Sequence, residues 1–127
     1  MTLLSRKNFV FLFKIYLLSL FLIAVLPLNG DTGKKLDNTF ILTFRLDHLL
    51  HSLLYVPYVL LYLLAVRPPG RAGRLLLIGA GILTAIATEG IQYFLPYRGF
   101  SIVDMISNLF GVLAGSLALL ITVNHDA

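Results

Sequence analysis

Apolar residues in this chain gather into four long runs, separated by short stretches of charged, turn-forming and proline residues. The runs cover approximately residues 9–28, 46–66, 75–95 and 102–123. A helix needs roughly 20 residues to cross about 30 Å of hydrocarbon, and each run is near that length. None shows the strict alternation of a half-buried strand, and backbone polar groups cannot stay unpaired in lipid, so each run predicts a helix. The pattern therefore predicts an all-α membrane protein, a four-transmembrane-helix bundle forming a single domain over residues 1–127.

Composition supports the same solvent. Of 127 residues, 58% are hydrophobic and only 13% charged, too few polar side chains to cover a water-soluble domain. The formal charge of +4 does not point to nucleic acid, because the basic residues flank apolar runs instead of forming a patch interleaved with aromatics. With no cysteine, disulfides and thiolate metal sites are excluded.

The first run follows Arg6 and Lys7 as a signal peptide would, but it is long for one and ends in "VLPLNG" without a small-x-small cleavage site, so it reads as an uncleaved anchor. Lys14 lies close enough to the start of this run to lift its ammonium to the headgroups. The loop "RPPGRAGR", residues 67–74, is short and purely cationic, whereas Lys34 and Lys35 share a longer loop with Asp31 and Asp37. Arg6, Lys7, Arg67, Arg71 and Arg74 thus mark one side, against Lys34, Lys35, Arg45 and Arg98 on the other. By the positive-inside rule both termini are expected in the cytoplasm. The "TFILTF" run, residues 39–44, is expected along the interface.

The polar exceptions inside the runs are the informative positions, since an ionisable group in hydrocarbon costs about 2.5–3.5 kcal/mol on insertion scales and is a functional candidate by default. Helical spacing sorts them onto faces. Asp47, His51, Tyr55, Tyr58 and Tyr62 form one stripe on the second helix, and Gly81, Ala85, Thr88, Glu89 and Gln92 a small or polar face on the third. On the fourth, Asp104 in the first turn meets the positive end of the helix dipole with Ser101 as amino-terminal cap, and Asn108, Gly111 and Gly115 follow on one side. Gly111 and Gly115, extended by Ser107, Ala114 and Ala118, make a small-residue seam for close helix packing. At a rise of about 1.5 Å per residue, His51, Glu89 and Asn108 lie on the order of 6–9 Å below the outer helix ends. The first helix offers almost nothing polar and reads as packing and anchor.

Asp47, His51 and Tyr55, then Glu89 and Gln92 as E-x-x-Q, then Arg98, Ser101, Asp104, Asn108 and Gly111 as R-x-x-S-x-x-D-x-x-x-N-x-x-G, resemble the VanZ-like integral membrane proteins over roughly residues 46–120. Where members often carry Lys after the second-helix Asp and Phe after the His, this chain has His48 and Ser52. The resemblance implies a bacterial plasma-membrane protein, some members being linked to teicoplanin-type glycopeptide resistance. It does not supply a settled activity.

Three readings of the polar residues stand side by side. Glu89, Asp104, Arg98, His51 and Asn108 can be a hydrogen-bonded network that sets helix register. They can instead form a binding site at the outer membrane face, Arg98 and His51 engaging a lipid phosphate or a wall-precursor pyrophosphate beside Tyr55 and Tyr58. Or they can serve an enzyme acting on a lipid-linked substrate, with Asp47 and His51 at i, i+4 holding a divalent metal or a carboxylate acting as base. No residue identifies a nucleophile, and His48 and His125 read as interfacial and tail residues. The preferred expectation is a non-enzymatic bundle whose outer-facing polar cluster, Asp47, His51, Tyr55, Glu89, Gln92, Arg98, Asp104 and Asn108, binds or shields an envelope component. The sequence names no cofactor; the glycine seam can serve between copies, but packing within one chain explains it better, because the polar face above it needs partners from the second and third helices.

Overall fold

The computed structural model describes residues 5–27, 38–41, 44–65 and 70–123. Helix α1 spans Arg6–Val25, the short strands β1 and β2 span Phe40–Ile41 and Phe44–Arg45, and α2 begins directly after β2 at Leu46–Tyr55. Helix α3 is Pro57–Ala65, α4 is Arg71–Phe94 and α5 is Ile102–Val123. The helices start and stop within a few residues of the apolar runs, because polar and proline positions bound them. Lys34, Lys35, Asp31, Asp37 and Arg67, on which much of the orientation count rests, and the side chain of Ala118 lie outside the described residues.

The second apolar run is split. Pro57 has no N–H to donate and its ring crowds the carbonyl four residues back, so the helix breaks at Val56, whose own N–H still reaches the Ser52 carbonyl at 3.3 Å. The two halves then take different neighbours: α2 lies chiefly on α5, while α3 lies against α1 and α5. The "TFILTF" segment, expected along the interface, enters with Arg45 into a two-stranded antiparallel ladder pairing Phe40 with Arg45 and Ile41 with Phe44.

Arg6–Val25, Leu46–Ala65 and Arg71–Phe94 are each long and apolar enough to cross a membrane. In the last helix the described apolar stretch, Ile102–Leu117, is shorter. The outer surface suits hydrocarbon: Phe11, Leu53, Leu76, Leu83 and Phe110 are all more than half exposed. Inside, Leu20, Tyr55, Ala85 and Val112 form one buried cluster and Tyr58, Val59 and Leu77 another. Phe13 bridges α1 to the second cluster, its ring 5.6 Å from that of Tyr58 and 5.8 Å from that of Tyr62.

The glycine seam is where backbones meet. A Cβ added at Gly111 would run into the Ser52 carbonyl and lie 2.9 Å from Tyr55 Cβ; at Gly115 it would run into the Val56 carbonyl. Only hydrogen fits at either position, so α5 rests on the α2 main chain down to the proline break. Gly81 on α4 makes room for side chains instead, since a Cβ there would lie 2.9 Å from Val112 Cγ1 and 3.0 Å from the Tyr58 ring.

Candidate functional site

The start of α2, the last turns of α4 and the start of α5 meet at one end of the molecule, and there the polar residues gather. Ser101 caps α5, its Oγ accepting from the Asp104 backbone N–H at 3.2 Å, which fixes Asp104 in the first turn. His48 Nδ1 lies 2.8 Å from Asp104 Oδ1. One turn deeper, His51 Nδ1 lies 3.0 Å from Asn108 Oδ1, and Asn108 Nδ2 donates to Glu89 Oε1 at 3.3 Å. His51 Nε2 faces Asp47 Oδ1 at 3.7 Å, and its Nδ1 is 3.9 Å from Glu89 Oε1.

Burial is graded across this group. Asp47, His48, His51 and Asp104 are half-buried, whereas Glu89 and Asn108 are each only 1% exposed. Glu89 Oε2 is buried without a hydrogen-bond partner. Among the described residues, the ion pairs of Asp47, Asp104 and Glu89 are all to histidines. Three carboxylates thus converge on two imidazoles, an arrangement rich in acceptors and in metal-ligand atoms.

Of the sequence-predicted group, the structure brings together Asp47, His51, Glu89, Asp104 and Asn108. Tyr55 sits one turn below, its hydroxyl 2.5 Å from Thr88 Oγ1. Gln92 turns to α1, donating from Nε2 to the Ala24 carbonyl at 3.3 Å. Arg98 is also on α1 and not beside the carboxylates: Nε donates to the Leu26 carbonyl at 3.0 Å and Nη2 to that of Ile23 at 2.5 Å. With Tyr97 donating to the Val25 carbonyl at 2.8 Å, these side chains close the carboxyl end of α1, where unpaired carbonyls and the negative end of the helix dipole attract a cation.

His48 is the member that sequence reasoning placed elsewhere. Read as interfacial, it packs on Asp104, and the available signal was its spacing to Ser52, whose Oγ donates to the Ser107 carbonyl at 2.8 Å on the same α5 face. Gly111 and Gly115, the predicted packing residues, lie directly beneath on that contact.

The family model VanZ/LLP1 matches residues 13–123, which covers every residue of this cluster. The chain belongs to the VanZ/LLP1 family. Membership and the apolar helices together make it a membrane protein of VanZ-like type. No curated protein and no solved structure matches the chain. Within this VanZ/LLP1 protein the cluster is built from three helices, and α1 is held at its flank by Gln92, Tyr97 and Arg98.

Proposed function

We propose that this VanZ/LLP1 protein is a four-helix, multi-pass protein of the bacterial plasma membrane, both termini inside, whose polar cluster faces outward. There it engages the polar head of an envelope lipid or wall precursor and so alters glycopeptide susceptibility. The observation that supports a site over helix glue is Glu89, a carboxylate 1% exposed with one oxygen unpartnered. Polar residues kept only for helix registration would be fully satisfied, and Asn or Ser would serve. The helix-registration reading is favoured by the pairs His48–Asp104 and His51–Asn108, each closed within 3.0 Å. Because Arg98 is engaged by α1 carbonyls, the acidic cluster meets a ligand through acceptors, suiting a head rich in hydroxyl or amine donors.

The test uses Glu89→Gln, which keeps shape and most hydrogen bonds while removing a charge. Native mass spectrometry of protein purified in mild detergent is expected to show a retained envelope lipid that Glu89→Gln loses. In a strain lacking the protein, wild type is expected to change the inhibitory glycopeptide concentration and an equally abundant Glu89→Gln is not. Equal lipid retention and equal protection by the two proteins would return the cluster to helix glue.

A further inference from the structure

We infer that Asp47, His51 and Asp104 form a divalent-cation site of the Zn²⁺ or Mn²⁺ type, with Glu89 behind it as a third carboxylate. One ligand atom from each of the three lies within 4.8 Å of the others. In an octahedral shell with bonds near 2.1 Å, ligand atoms lie about 4.2 Å apart when opposite and about 3.0 Å when adjacent, so side-chain rotations that draw the three together bring them into range. One imidazole with carboxylates is a donor set suited to Zn²⁺ or Mn²⁺.

The hydrogen bonds around the group arrange it for a metal. Glu89 Oε1 accepts from Asn108 Nδ2, which turns Asn108 Oδ1 toward His51 and makes Nδ1 the protonated ring nitrogen. His51 Nε2 is then left with its lone pair facing Asp47 Oδ1 at 3.7 Å. Two acceptors face each other there, and a cation between them converts the repulsion into two bonds. A ligating histidine commonly donates its other ring N–H to just such an acceptor, which holds its orientation. His48 does the corresponding work for Asp104, holding Oδ1 at 2.8 Å and leaving the second oxygen for a ligand.

A separate observation also points to a cation. Glu89 is 1% exposed, lies against this same His51, and keeps Oε2 without a partner. A carboxylate oxygen buried without a donor, on a side chain set against the imidazole of a proposed ligand, is an acceptor that a cation in the cluster would satisfy. The inference stands independently of the envelope-ligand reading, since a metal can complete the cluster whatever the cluster then binds.

The experiment is a Mn²⁺ and a Zn²⁺ titration of the full chain, purified in mild detergent and stripped with chelator. Mn²⁺ is followed by electron paramagnetic resonance and Zn²⁺ by calorimetry. One ion per chain is expected, with a ¹⁴N coupling to bound Mn²⁺ in pulsed spectra. Loss of that coupling is expected in His51→Gln, weakening of about 10–100-fold in Glu89→Gln, and no change in Tyr97→Phe, whose hydroxyl lies on the Val25 carbonyl of α1. Absence of stoichiometric binding by the folded wild type, or binding without ¹⁴N coupling, overturns the site and assigns the Asp47–His51 contact to a proton on Nε2. The wild-type spectrum alone decides the matter should His51→Gln fail to fold.

Discussion

Gly111→Ala adds one methyl group where α5 meets the α2 main chain. The new Cβ runs into the Ser52 carbonyl oxygen and lies 2.9 Å from both Ser52 C and Tyr55 Cβ, where ordinary contacts begin at 3.4 Å. Since the obstacle is backbone, no side-chain rotation relieves it and the two helices must separate. Overpacking of this kind costs about 1–3 kcal/mol. Three polar contacts depend on the same α2–α5 approach: Ser52 to the Ser107 carbonyl at 2.8 Å, His48 to Asp104 at 2.8 Å, and His51 to Asn108 at 3.0 Å. At about 0.6 kcal/mol each in a membrane, their loss adds about 2 kcal/mol. The gain from replacing glycine in a helix, about 0.5–1 kcal/mol, offsets part of this, leaving a net loss of about 2–4 kcal/mol. Gly79→Ala is the matched control, because a Cβ there meets nothing within 4 Å. SDS titration of each variant in mixed micelles, followed by far-ultraviolet circular dichroism, is expected to move the unfolding midpoint down for Gly111→Ala and leave it level or slightly up for Gly79→Ala. Equal midpoints for the two variants would refute the backbone contact as the hinge of this packing.

Two further expectations follow from the chain's charge and from the closure of α1. Single cysteines at Gly33 and Gly70 are expected to react oppositely with an impermeant thiol reagent in intact cells, Gly33 labelling and Gly70 protected; labelling of Gly70 alone would turn the cluster to the cytoplasm. Arg98→Ala removes two donors from α1 carbonyls and is expected to lower the unfolding free energy in SDS titration by about 1–3 kcal/mol while leaving Mn²⁺ affinity unchanged, and a large loss of Mn²⁺ affinity would place Arg98 in the cluster after all.

The sequence made the cluster visible where one face of a helix carried the information. Asp47 and His51 share a stripe, as do Asp104 and Asn108, and equal depth below the helix ends brought Glu89 to them, so periodicity and rise were enough. The partners of Gln92, Tyr97 and Arg98 were not legible, because main-chain carbonyls of α1 are the same whatever residues carry them. An arginine and several acids at one depth suggest pairing, yet the end of a helix competes for the same guanidinium. Pro57 was in plain view, but an apolar run gives no sign of which way its two halves diverge after the break. His48 follows Asp47 directly and so points about 100° around the axis, toward a neighbour that only the assembled fold supplies.

The way α1 is held has a consequence for what may be changed in it. Gln92, Tyr97 and Arg98 grasp the oxygens of Ile23, Ala24, Val25 and Leu26, which any helix ending at the same height would present. Phe13 against the Tyr58 and Tyr62 rings, Tyr16 donating to the Leu54 carbonyl at 2.6 Å, and the buried Leu20 and Ala24 are the side chains by which α1 is chiefly fitted. The rest of the segment behaves as an interchangeable part, so a chimera carrying a foreign apolar helix of equal length, with those four residues kept, should dock as the native one does. Adding or deleting a single residue between Leu20 and Leu26 would be harder to tolerate than rewriting most of the letters before it, because the clamp measures where the helix stops and is blind to its spelling.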